Sequence, residues 1–141
     1  MSAETNKQLM EAIFAEIEAG NGAPFAATLA DDVVMRVTGQ YSWSRTFTGK
    51  EAVMRDLYGY VRSLVERGSR TVPLRIFADG DHVIVEARGA MKTKAGERYD
   101  NEYCLIYRFA GGRIVEMREY CDSALCEARL GLFQVGTGEI S

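Results

Sequence analysis

YDNEYCLIYRFAGGRIVEMREYCD, residues 99–122, reads as two long strands, 99–109 and 113–121, turned by Ala110-Gly111-Gly112. Paired glycines between aromatic and β-branched runs mark a tight hairpin, because the turn needs positive φ that glycine supplies without strain. Odd positions of the first strand carry Tyr99, Asn101, Tyr103, Leu105, Tyr107 and Phe109. Odd positions of the second carry Val115, Met117, Glu119 and Cys121. Asn101 and Glu119 are thus set into a mainly apolar face. The even positions hold Asp100, Glu102, Arg108, Glu116 and Arg118, a mixed-charge face suited to water. The odd side is therefore expected to face inward, and Glu119 is its conspicuous exception. A carboxylate enclosed without a partner costs several kcal/mol, so a cation or a hydrogen bond is expected beside it.

The 141 residues suit one domain with a substantial core. A net charge of −3 gives no basic footprint for nucleic acid. No apolar run reaches membrane-spanning length, and MSAETNKQ has no signal-peptide core. Cys104, Cys121 and Cys126 are odd in number and lack CxxC spacing, which points to free thiols in a reducing cytoplasm. No GxGxxG, P-loop, HExxH or metal-ligand cluster is present, so neither a cofactor nor a metal is expected.

Upstream, Thr5-x-x-Gln8 has the spacing of a capping box, followed by Leu9, Ile13 and Ile17 on one helical face. Pro24 suits the first turn of a short helix over 23–29, and a strand is expected over 33–38. Tyr41 and Trp43 lie in an irregular segment, where they either cover a pocket or plug the end of the fold. Thr48-x-x-Glu51 is a second possible capping box, opening a helix with Val53, Leu57, Tyr60, Val61 and Leu64 on one side. From residue 69 the period becomes two: strands over 70–78 and 82–93, then the hairpin. Asp122 is placed to cap a last short helix, and 132–141 forms a tail. Helices followed by antiparallel strands make an α+β fold with helices on one face of a curved sheet.

The strand 82–93 leaves two orientations open. Val83, Val85, Ala87, Gly89 and Met91 form a wholly apolar face; Ile84, Glu86, Arg88 and Ala90 form the other. One orientation puts Glu86 and Arg88 in water. The other puts them in a cavity beside Glu119, with the valines at a subunit interface. A register slip of one residue exchanges the two.

Two N-terminal helices, Gly49-Lys50-Glu51-Ala52-Val53 opening a third, a four-strand run and YRFAGGRIVEMREYCD together resemble the nuclear transport factor two-like superfamily. Over residues 5–130 the chain looks like its SnoaL-like polyketide cyclase and limonene-epoxide-hydrolase branch. The resemblance implies a cone-shaped curved antiparallel sheet around one deep pocket, and a homodimer through the outer sheet face. It favours the second orientation, with Ile84, Glu86, Arg88, Asn101, Tyr103, Leu105, Met117 and Glu119 lining the pocket. Aligned through the Gly-Gly turn, the Arg-x-Asp and Asp of limonene-type hydrolases fall on Glu86, Arg88 and Glu119. Their water-holding Tyr and Asn fall on Met35 and Val37, which disfavours epoxide hydrolysis. Ketosteroid-isomerase positions fall near Val37, Ile13 and Leu105, all apolar. His82, the only histidine, is expected on the rim just beyond a turn.

The resulting expectation is a cofactor-free isomerase, cyclase or dehydratase acting on a small hydrophobic, oxygenated ligand. Glu119 would be the acid or base, Arg88 would stabilise negative charge, and Glu86 would orient Arg88. Asn101, Tyr103, Trp43, Tyr60, Met117 and Met35 would touch the substrate. The alternative is a non-catalytic ligand-binding module, or a dimerisation domain with a closed interior.

Overall fold

The computed structural model describes residues 2–134. Helix α1 (Ala3–Glu18) starts earlier than the Thr5 box implied: the hydroxyl of Ser2 accepts from the backbone N–H of Thr5, and Gln8 reaches Glu4 instead. Its buried stripe is Met10, Ile13 and Phe14. Helix α2 (Ala23–Thr28) carries Pro24 in its first turn, where a missing N–H costs nothing.

Strand β1 (Leu29–Val37) is longer than expected, and β2 (Thr46–Thr48) is a short edge partner. The second capping box does not form. Gly49, at φ 94°, occupies the cap position with no side-chain bond. Three helical pieces follow: α3 (Lys50–Ala52), a π-helical stretch (Val53–Gly59) and α4 (Tyr60–Leu64).

Strands β3 (Arg70–Asp79), β4 (His82–Ala90), β5 (Glu102–Ala110) and β6 (Arg113–Cys121) form an antiparallel run, and α5 (Ser123–Leu130) closes the described chain. The carboxylate of Asp122 accepts from the N–H of Leu125, capping α5 as the sequence indicates. Gly111 and Gly112 both have positive φ, so Ala110 and Arg113 pair directly across a two-residue turn.

The six strands form one sheet in the order β2-β1-β6-β5-β4-β3. All neighbours are antiparallel except β1 and β6, which run parallel. A register shift between Arg108 and Phe109 brings Ile114 opposite Phe109 and buries it fully. The helices cover the concave face and the core lies between: Met10 and Phe14 of α1 are buried with Val83 and Val85 of β4, Met35 of β1 and Met117 of β6. No helix among the described residues is long and apolar enough to cross a membrane.

The alternation of β4 is settled by burial. Val83, Val85 and Ala87 are buried on the concave side, while Arg88 is exposed and Glu86 half-exposed on the convex side. Glu86 pairs there with Arg75 at 2.8 Å. The inward orientation expected for Glu86 and Arg88 is therefore corrected. Three apolar side chains buried against α1 outweigh any gain from enclosing two charges.

Candidate functional site

Between the concave sheet face and the helices lies a cavity of about 570 Å³. That volume lies within the range of small-molecule sites, so the interior is not packed solid. Register places Glu119 in its floor. Across the sheet it stands in a row with Val37 of β1, Leu105 of β5, Val85 of β4 and Ile76 of β3. Its immediate cross-strand neighbours on both sides are thus hydrocarbon.

No hydrogen bond or ion pair reaches the Glu119 carboxyl among the described residues, and no other acidic side chain lines the cavity. The partner expected from the sequence is absent, because Arg88 faces away. Burial pushes the carboxyl up to about 8, with a smaller push from Cys121. At neutral pH the acid is mainly protonated, yet close enough to its midpoint to exchange a proton readily.

Phenols surround it. Tyr41, Tyr58, Tyr99, Tyr103 and Tyr107 line the same cavity. Burial holds the Tyr58, Tyr103 and Tyr107 hydroxyls well above the ordinary phenol range, with the Glu119 charge adding to each. They are neutral donors at any physiological pH. The hydroxyls of Tyr58 and Tyr107 form no hydrogen bond among the described residues, nor are they sealed from the cavity, so both are available to a ligand oxygen.

The other residues singled out in the sequence divide cleanly. Tyr103 and Trp43 line the cavity. Trp43 is the plug rather than a loose cover: it is buried, its indole N–H donates to the Gly131 carbonyl at 2.9 Å, and it stacks on Tyr60 at 5.4 Å. Phe133 packs edge-on against both rings. Of the tail expected over 132–141, residues 135–141 lie outside the described residues. Tyr60 does not reach the cavity; its hydroxyl accepts from the N–H of Gln134.

Met35 and Met117 are cross-strand partners in the row next to Glu119. Both are buried in packed core rather than lining the cavity, which corrects their expected contact with a ligand. Asn101 is corrected likewise. It is fully buried, its amide donates to the Tyr99 hydroxyl and the Asp122 carbonyl, and its oxygen accepts from the N–H groups of Glu102 and Asp122. All its hydrogen-bonding capacity goes to tying the start of β5 to the start of α5.

His82 pairs with Asp81 next to the β3–β4 turn, outside the cavity lining. Contact with the Cys126 thiol and burial push the Cys121 thiol upward, so it is not a thiolate nucleophile. Among the described residues no three His, Cys, Asp or Glu side chains gather to hold a metal.

Tyr58, Tyr107, Arg62 and Arg70 are lining residues to which sequence reasoning gave no role. Tyr107 was legible as an inward odd position. The π-helical stretch that carries Tyr58 has no periodic signature in the sequence.

The pattern of the SnoaL-like domain matches residues 10–117. The chain belongs to the SnoaL-like domain family. No curated protein matches it in sequence. Solved structures share the fold of this SnoaL-like protein at low identity. An NTF2-like protein of unknown function from Burkholderia pseudomallei is 20% identical, with a TM-score of 0.76 over 92% of this chain and 98% of that one. A putative SnoaL-like polyketide cyclase from a Jannaschia species is 15% identical, with a TM-score of 0.74 over 92% and 93%. A putative isomerase from Bacillus subtilis is 16% identical, with a TM-score of 0.75 over 95% and 100%. At these identities the likeness is one of fold: an α+β cone of the NTF2-like type, built around a small-molecule pocket.

Proposed function

We propose that this SnoaL-like protein is a cofactor-free acid/base enzyme for a small apolar molecule bearing oxygen, with isomerisation, cyclisation or dehydration as its class of reaction. One observation carries the reading: the only carboxyl facing the cavity among the described residues, that of Glu119, has no partner there, lies among phenols and is raised to about 8. Glu119 as carboxylate would take a proton from carbon next to a carbonyl and return it elsewhere as the acid. Tyr58 and Tyr107 would donate hydrogen bonds to the oxygen as charge develops on it, and Tyr103 and Trp43 would hold the body of the molecule. Glu86 and Arg88 have no part in this scheme. The structural relatives called a putative polyketide cyclase and a putative isomerase are consistent with this class.

The test is exchange of the α-protons of 2-tetralone in deuterated buffer, followed by NMR. The rate should rise with pH to a plateau, half-maximal near pH 8, and Glu119→Gln should lower it a hundredfold or more. A wild-type rate no faster than that of Glu119→Gln would reject the enzyme and leave a binding module. The proposal extends to a homodimer in the cytoplasm. Phe77, Ile84 and Ile106 are cross-strand neighbours forming an apolar band on the convex face, with Phe77 half-exposed. The odd number of cysteines suits a reducing compartment.

A further inference from the structure

Two arginines line a cavity whose other residues are mainly apolar or phenolic, with Glu119, Ser69, Thr71 and Cys126 as the remaining polar groups. Arg62 lies on α4 and is exposed; Arg70 opens β3 and is half-buried. Arg70 stands beside the exposed Gly20, and the exposed Arg62, Gly22 and Ala23 also line the cavity, which puts these residues toward its open side; the buried Leu105 and Tyr107 lie with the half-buried Glu119 toward the floor. Arg70 packs over the bare backbone of Gly20. A Cβ on Gly20 would come within 2.8 Å of its guanidinium nitrogen, so the missing side chain at the end of α1 makes room for it. Neither arginine forms an ion pair among the described residues, although five other arginines or histidines do. Among the described residues, the one side-chain hydrogen bond on either runs from the Arg70 guanidinium to the Ser69 carbonyl at 3.3 Å.

We infer that Arg62 and Arg70 form an anion seat at the mouth, and that the substrate is amphipathic: a carboxylate held at the lip, an apolar body, and a reacting oxygen at the floor. Guanidinium groups suit this role because their planar N–H forks match a carboxylate and remain charged at every relevant pH. An acidic protein of net charge −3 gains nothing for folding from leaving two cations unpaired beside a hole. This inference rests on the reading of the cavity as the substrate site, and it adds the charge that the substrate must carry.

A matched pair of fluorescent probes tests it. 1-Anilinonaphthalene-8-sulfonate has an anionic group on an apolar body; N-phenyl-1-naphthylamine has the same body without it. The intact protein at low salt should bind the sulfonate at least tenfold more tightly. The ratio should shrink at high salt and fall to about one in the Arg62→Gln/Arg70→Gln double variant. A ratio near one in the intact protein, a ratio retained in the double variant, or binding of neither probe overturns the anion seat. The two readings fail separately. A tenfold ratio with no proton exchange on 2-tetralone removes the acid/base chemistry and keeps the seat. Exchange that depends on Glu119 with a ratio near one removes the seat alone.

Discussion

Glu119 stands between apolar neighbours on adjacent strands, and its environment makes stability depend on pH. In the unfolded chain the carboxyl titrates near 4.5; in the folded protein burial raises it to about 8. The folded state therefore prefers the protonated form. The stability associated with that preference is complete below about pH 4.5 and is lost as pH rises through 8. Replacing the acid by its uncharged isostere removes the loss. Glu119→Gln should match wild type in urea unfolding at about pH 4 and exceed it at pH 9 by on the order of 3 kcal/mol, allowing for solvent access to the cavity. Equal midpoints at pH 9 would show that the carboxyl is well solvated. Asn101 shows the opposite way to place a polar group inside: its side chain makes four hydrogen bonds, whereas the Glu119 carboxyl makes none among the described residues. Both stand out in the sequence as polar interruptions of one apolar face. Alternation reveals an intrusion but not its partners, so the two looked alike before the structure separated them.

Among elements, the end of β4 passes close to the segment that leads into β5. Gly89 donates its N–H to the Asn101 carbonyl at 2.8 Å, and a Cβ there would sit 3.0 Å from the Tyr99 carbonyl oxygen. Backbone on the opposing side cannot swing away as a long side chain can. Gly89→Ala should therefore cost about 1–2 kcal/mol in urea unfolding, despite the usual gain from replacing a strand glycine. An unchanged midpoint would mean that the segment before β5 yields freely. The hairpin and both of its strands were legible from residues 99–122, because a period of two and a Gly-Gly turn leave few alternatives. The alternation of β4 by itself left both orientations open, the valines inward or outward. Analogy to hydrolases that keep a charged pair in the pocket pointed to valines outward, and packing of Val83 and Val85 against α1 decided for inward. The capping boxes failed for a different reason. Ser2 caps its helix three residues before Thr5, and Gly49, one residue after Thr48, begins the next without a side-chain bond.

The whole molecule has two unlike faces. The concave one encloses the cavity. The convex one shows a band of Phe77, Ile84 and Ile106, with the Arg75–Glu86 pair in the next row. Should that band join two copies, Phe77→Glu places a charge in it and converts the dimer to a monomer. Light scattering during size exclusion would read this as a halved mass, with proton exchange by the monomer as the check on folding. A mass unchanged by the substitution, or already that of one chain, would put the band to another use. The sheet order carries a consequence for how the chain is made. β6 stands between the β1–β2 pair and the β3–β5 meander, and it is the last strand to be synthesised. Until residue 121 has emerged from the ribosome, two half-sheets wait with facing unpaired edges, and the carboxyl that defines the pocket is still arriving between them. A stalled or truncated chain ending at the Gly-Gly turn would thus offer two sticky edges at once.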